Sequence, residues 1–178
     1  MNFDEIKYPI GRFKPNKNTF DTNYIKGNIE ILKKFPSKLE DEIKILNPRQ
    51  INTPYREKGW TILQLIHHLA DSHTIAYIRC KLAVNQNKIS VNDYIPDKWA
   101  NHIDAKENNY KESLFIIKGL HSRWTAFFIN LYEKKFKYKY YYTARKKFYS
   151  IYDVLGLYAW HSNHHLQHIK NIKIKMKW

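Results

Sequence analysis

The sequence has one cysteine, Cys80, and neither a CxxC nor a zinc-finger spacing. That excludes an internal disulfide and a cysteine-built metal site. Nowhere do roughly eighteen apolar residues run together, which excludes a transmembrane helix. The opening MNFDEIKYPIG has no charged segment leading into an apolar core and does not read as a signal peptide. No internal repeat and no Gly/Ser- or Pro-rich linker divides the chain. The expectation is a cytoplasmic protein in a reducing compartment, with no membrane partner and a single domain over residues 1–178. At 43% hydrophobic and 16% aromatic, that domain has the composition to bury a core without staples.

Acids are also scarce, 16 against 31 Lys and Arg, leaving a net charge of +15. Such a charge suits nucleic acid or an anionic surface. Yet the cations are 25 lysines and only 6 arginines, and the arginine fork is what base reading favours. Lysine, asparagine, isoleucine and tyrosine are all abundant and all have A/T-rich codons. Codon drift accounts for the whole set, a selected nucleic-acid surface only for the lysines.

Residues 1–18 contain YPIGRFKP, whose prolines and glycine predict an extended arm. Helical spacing of Phe20, Tyr24, Ile29, Ile31, Leu32, Leu39, Ile43 and Leu46 predicts a helix from Thr19 to about Leu46, kinked or broken at Pro36. NPRQINTPYREKG reads as a loop. Thr61 and Gln64 form a capping box that opens a second helix, ending near Val84. After a loop with Asp93, Pro96 and Asp97, a third helix is expected from about Lys106 to Tyr132. KKFKYKYYYTARKKFY alternates aromatic and basic residues and reads as a hairpin or extended loop. Ser150 and Asp153 cap a fourth helix reaching about Ile172. The class is all-α, a four-helix bundle.

The stretch HSNHHLQH, residues 161–168, puts four histidines on two turns of that last helix. Ile151, Val154, Leu155, Tyr158, Ile169 and Ile172 define its apolar stripe. His165 falls near the stripe's centre and His161 within about 40° of it; His168 lies at the edge and His164 about 100° away. His161 and His165 stand one turn apart, the spacing of helical zinc motifs. On the second helix His67 lies on the far side of the stripe through Leu65, Leu69 and Ala76. His68 and His73 flank it equally, and periodicity does not choose between them. Facing helices of a bundle commonly build a metal site this way.

Beyond spacing, the stretches YPIGRFKP, TPYREKGWT, HHLADSHTIAYIRCKLA, LHSRWTAFF, LGLYAWHSNHHLQHI and the terminal MKW resemble the DinB-like superfamily, in particular its YfiT-type metal-dependent hydrolases. They run from Tyr8 to Trp178 in the family's order. The resemblance implies a DinB-like four-helix bundle with one divalent metal per subunit, zinc or nickel. It places the ligands on His68, His161 and His165. It further implies a cytoplasmic homodimer acting on a small molecule, by hydrolysis or by transfer of a bacillithiol-type thiol. A His-Pro step common in the family before the last helix is replaced here by Tyr142-Thr143, which puts that turn's substrate contacts in doubt.

Three neutral imidazoles and an open position favour catalysis over a structural site, since structural zinc is usually closed by four ligands. Asp71, one turn beyond His68, is a candidate to orient an imidazole, with a solvated surface carboxylate as the plain alternative. His164 and His168 could shuttle protons but read as surface histidines. His121 and Arg123 could line the pocket or a dimer interface, or simply pack the third helix. Cys80 reads as a core cysteine. A non-catalytic metal-binding module and a nucleic-acid-associated protein, using segment 134–149 as a stacking ribbon, are the alternatives.

Overall fold

A computed structural model of the protein describes residues 3–16, 20–106 and 109–178. Its short first helix, α1 (Phe3–Lys7), corrects the wholly extended arm expected there. Behind it the chain is irregular, turning at Gly11 with φ +75°. Thr19, the expected start of the next helix, lies outside the described residues. The helix α2 runs Thr22–Ile43, with the Asp21 carboxylate accepting from the Asn23 and Tyr24 amides.

Pro36 does not break α2. Proline removes the bond to the carbonyl four residues back, here that of Leu32. The helix survives because Pro36 is buried and another donor reaches that carbonyl, as described below.

The expected loop after α2 contains a turn of helix, α3 (Pro48–Ile51), closed by an Asn47–Gln50 capping box. The Thr61–Gln64 capping box opens α4 (Ile62–Asn85) as expected. Next come a two-residue strand β1 (Ser90–Val91) and a short helix α5 (Pro96–Trp99). The third long helix, α6 (Lys111–Ile129), is shorter at both ends than its apolar pattern suggested. Tyr110 offers no side-chain cap, and the turn at 104–106 is 3-10.

The aromatic–basic segment forms a hairpin, β2 (Lys139–Tyr142) against β3 (Lys147–Ser150), with β1 parallel on the outer side of β2. Ser150 and Asp153 cap the last helix, α7, which continues through Met176, one turn past the expected Ile172. No helix among the described residues is long and apolar enough to cross a membrane.

The four long helices pack α2 on α7 and α6, and α4 on α6 and α7. Their apolar side chains divide into two clusters. One holds Leu32, Ala76, Trp124 and Leu155; the other holds Phe35, Ala70, Ile117 and Leu166. Burying each large side chain contributes about 1.5–3 kcal/mol. Between the clusters lies a polar waist. Where α4, α6 and α7 pass from one cluster to the other, each carries a histidine: His73, His121 and His161.

Candidate metal centre

Burying uncompensated polar groups is costly, so every imidazole in the waist needs a partner. His161 lies at the crossing point. Its Nε2 stands 3.0 Å from His165 Nε2 and 3.3 Å from His68 Nε2. One ring nitrogen from each of the three lies within 4.8 Å of the other two. One helical turn puts His161 and His165 on the same side of α7, their rings edge-to-face with centroids 4.4 Å apart. α4 supplies His68 from across the bundle.

The two residues that periodicity could not separate both reach His161, from different sides. His68 approaches its Nε2, whereas His73 Nε2 is 3.0 Å from its Nδ1. His73 is wholly buried between Phe35 and Trp124 and meets His121 at 2.8 Å. His121 Nδ1 in turn donates to the Leu32 carbonyl at 2.7 Å. His121 packs the third helix as expected, against Phe35 and Trp124, and is in addition a member of a buried imidazole chain. Arg123 stays exposed, its guanidinium over Tyr77.

Burial holds these imidazoles neutral. It lowers His68 to about 3, with neighbouring His164 adding to the effect. His161, His165 and His73 are pushed well below the ordinary value, first by burial and then by neighbouring imidazoles, His68 among them in each case. His121 falls to about 4 through burial. Neutral imidazole is the form that offers a lone pair to a metal. Three inward Nε2 atoms cannot all bond to one another, because each contact needs one N–H and one lone pair. Tetrahedral zinc or a similar ion with nitrogen at 2.0–2.1 Å would space its ligands by about 3.3 Å, close to the two separations from His161, 3.0 and 3.3 Å, while the three nitrogens together lie within 4.8 Å. The donor set fits a divalent transition metal.

Two expectations around this centre are corrected. Among the described residues no hydrogen bond joins Asp71 to His68; that nitrogen, Nδ1, is 2.9 Å from the Tyr94 hydroxyl. Asp71 is half-buried, and burial with Asp104 nearby raises it to about 6. His164 and His168 are not surface residues but 8% and 3% exposed. The helical period shows only one apolar stripe on α7, whereas other segments cover the helix beyond that stripe. Trp160 stacks on His164 and Tyr8 of the arm lies beyond it, while Tyr55 packs on His168. Gly11 accepts from the Trp160 indole, tying the arm down.

His67 bonds Ser113 of α6, away from the centre, and Cys80 is core, its thiol pushed up by burial. Sequence reasoning missed Tyr94 and Trp60, whose ring lies 4.8 Å from His68. Both come from irregular segments, which have no period to read.

Fold and site together define an all-α bundle whose waist carries a three-histidine metal-site candidate. The DinB superfamily profile matches residues 31–169, and the chain belongs to that superfamily. It is 36% identical to a Bacillus subtilis protein named "Putative metal-dependent hydrolase YfiT", over 100% of this chain and 99% of that one. A likewise named Bacillus licheniformis protein is 39% identical, over 98% and 99% of the two chains. The solved structure of Bacillus subtilis YfiT superposes with a TM-score of 0.95, covering 98% of this chain and 99% of its own. It is described as a "probable metal-dependent hydrolase with an unusual four-helix bundle topology".

Proposed function

We propose that His68, His161 and His165 hold one divalent cation, zinc or nickel, and that the protein is a metal-dependent hydrolase of small molecules. One observation carries this reading: three neutral imidazoles, those of His68 and His165 buried and that of His161 part-buried, bring Nε2 together where they cannot all satisfy one another. The relatives' names support the same reaction class. Imidazole suits both metals, so the ligands alone do not choose between them.

When bound, such a cation supplies Lewis acidity, lowering the pKa of a coordinated water toward about 7, or of a small thiol. The chain's own residues then have distinct tasks. Tyr94 accepts from His68 Nδ1 and orients that ring; burial keeps its phenol protonated. Trp60 packs against His68 and excludes water from that side. Tyr158 walls the opposite side against His73 and His161.

Elemental analysis of protein purified without chelator should find about one divalent metal per chain. Ester, amide and thiol-transfer substrates screened with zinc or nickel should reveal an activity that chelation abolishes and metal restores. His68→Ala, His161→Ala and His165→Ala should each abolish metal retention, whereas His164→Ala should keep it. Metal-free protein that cannot be loaded, or equal loss from His164→Ala, would refute the assignment.

A further inference from the structure

The imidazole chain behind His161 has a fixed direction. Its far end is a carbonyl oxygen, that of Leu32, which can only accept. His121 must therefore carry its proton on Nδ1. Being neutral, it has a bare Nε2, which can only accept from His73 Nδ1. His73 Nε2 is then bare in its turn and accepts from His161 Nδ1. That leaves His161 Nε2 without a proton, facing His68 and His165. The distances along the chain are 2.7, 2.8 and 3.0 Å, each a good hydrogen bond.

The anchor exists because of a residue on a helix that carries no metal-site histidine. A regular α2 would use the Leu32 carbonyl for the amide of residue 36. Proline at 36 has no amide proton, so that carbonyl is left for His121. A helix-breaking residue retained in a buried helix interior thereby acquires a purpose.

We infer that His73 and His121, anchored on the carbonyl that Pro36 frees, act as positioning residues that lock His161 in the Nδ1–H tautomer and keep its Nε2 lone pair open for the metal. The inference rests on the metal reading above. Neither residue touches the common point of the three Nε2 atoms, and His121 acts two imidazoles away from it. A metal-ligand histidine ordinarily donates its second nitrogen to a single carboxylate, carbonyl or water. Here a three-step chain replaces that single acceptor and joins all four long helices. Reversing any link would put the proton on His161 Nε2, where it competes directly with the cation.

Long-range proton–nitrogen correlation spectra of protein labelled with ¹⁵N-histidine report each ring's tautomer. In zinc-free wild-type protein at pH 7.5, His161, His73 and His121 should each show a protonated Nδ1 and an unprotonated Nε2. A His161 ring protonated on Nε2 would overturn the lock without any variant. Zinc affinity, read by chelator competition, should fall about 10–100-fold in His121→Leu and His73→Leu. His73→Gln, whose amide carries an acceptor and a donor side by side, should recover most of the loss. In His121→Leu the His161 spectrum should gain the Nε2-protonated form, which a packing defect alone would not produce. Unchanged affinity in both leucine variants while they stay folded would refute the inference. Wild-type protein that binds neither zinc nor nickel would sink the metal reading, while its His161 tautomer would still decide the lock.

Discussion

Acid should unfold the metal-free protein unusually early. Seven buried or half-buried histidines, His68, His73, His121, His161, His164, His165 and His168, all have folded-state values below the ordinary 6.5. Where values are defined they are about 3 to 4. Between there and 6.5 the unfolded chain binds protons that the folded chain refuses. Stability is therefore full above pH 6.5 and is lost as the pH falls through that window. At pH 5.5, one unit below the unfolded value, each of the four imidazoles with such a value, His68, His121, His164 and His168, costs about 1.4 kcal/mol. Those four together cost about 6 kcal/mol, a large part of the folding free energy of about 5–15 kcal/mol expected of a domain, and His73, His161 and His165 shift in the same direction. Circular dichroism and tryptophan fluorescence in the presence of chelator should show a cooperative transition between pH 6.5 and 5. Native helical signal persisting below pH 4, or folded-state titration of these histidines near 6.5, would refute the reasoning.

At pH 7.5 the same chelation should leave the helices intact, because the two apolar clusters hold the bundle on either side of the waist. Saturating zinc should raise Tm by linkage, and a helical signal that collapses on chelation would instead mark a structural site. Tyr94→Phe removes the acceptor of the His68 Nδ1 proton and should weaken zinc binding about 10–100-fold with little change in helicity; chelator competition is the check. Gly156→Ala would drive a methyl into the Tyr24 hydroxyl and should destabilise by about 1–3 kcal/mol in urea titrations. Ser150→Ala deletes the cap of α7 and should cost about 1 kcal/mol by the same assay.

Local order along the helices could be read from the chain alone. The capping pairs Thr61–Gln64 and Ser150–Asp153 start helices where their side chains serve nearby amides. The one-turn spacing of His161 and His165 guarantees that the two rings share a side of α7. These follow from covalent connectivity and the helical period, which do not depend on what packs against the helix. The four helical patterns pointed to a four-helix bundle, and the DinB resemblance, through motifs spread from Tyr8 to Trp178, implied the same fold.

Everything that depends on a neighbour was decided in three dimensions. Periodicity gives the angle of a side chain about its own helix, not the identity of what it meets there. His68 and His73 have equal claims by angle, and only the placement of α7 sends one to His161 Nε2 and the other to Nδ1. His168 lies at the edge of the apolar stripe and His164 well off it, and both are nonetheless buried, because Trp160, the arm and Tyr55 cover them. Asp71 has the right spacing to serve His68, but Tyr94 from an irregular loop stands at that nitrogen instead. Pro36 shows the difference most plainly. By local rules it ends a helix, and in the bundle the carbonyl it frees finds a donor in His121, 89 residues away in sequence.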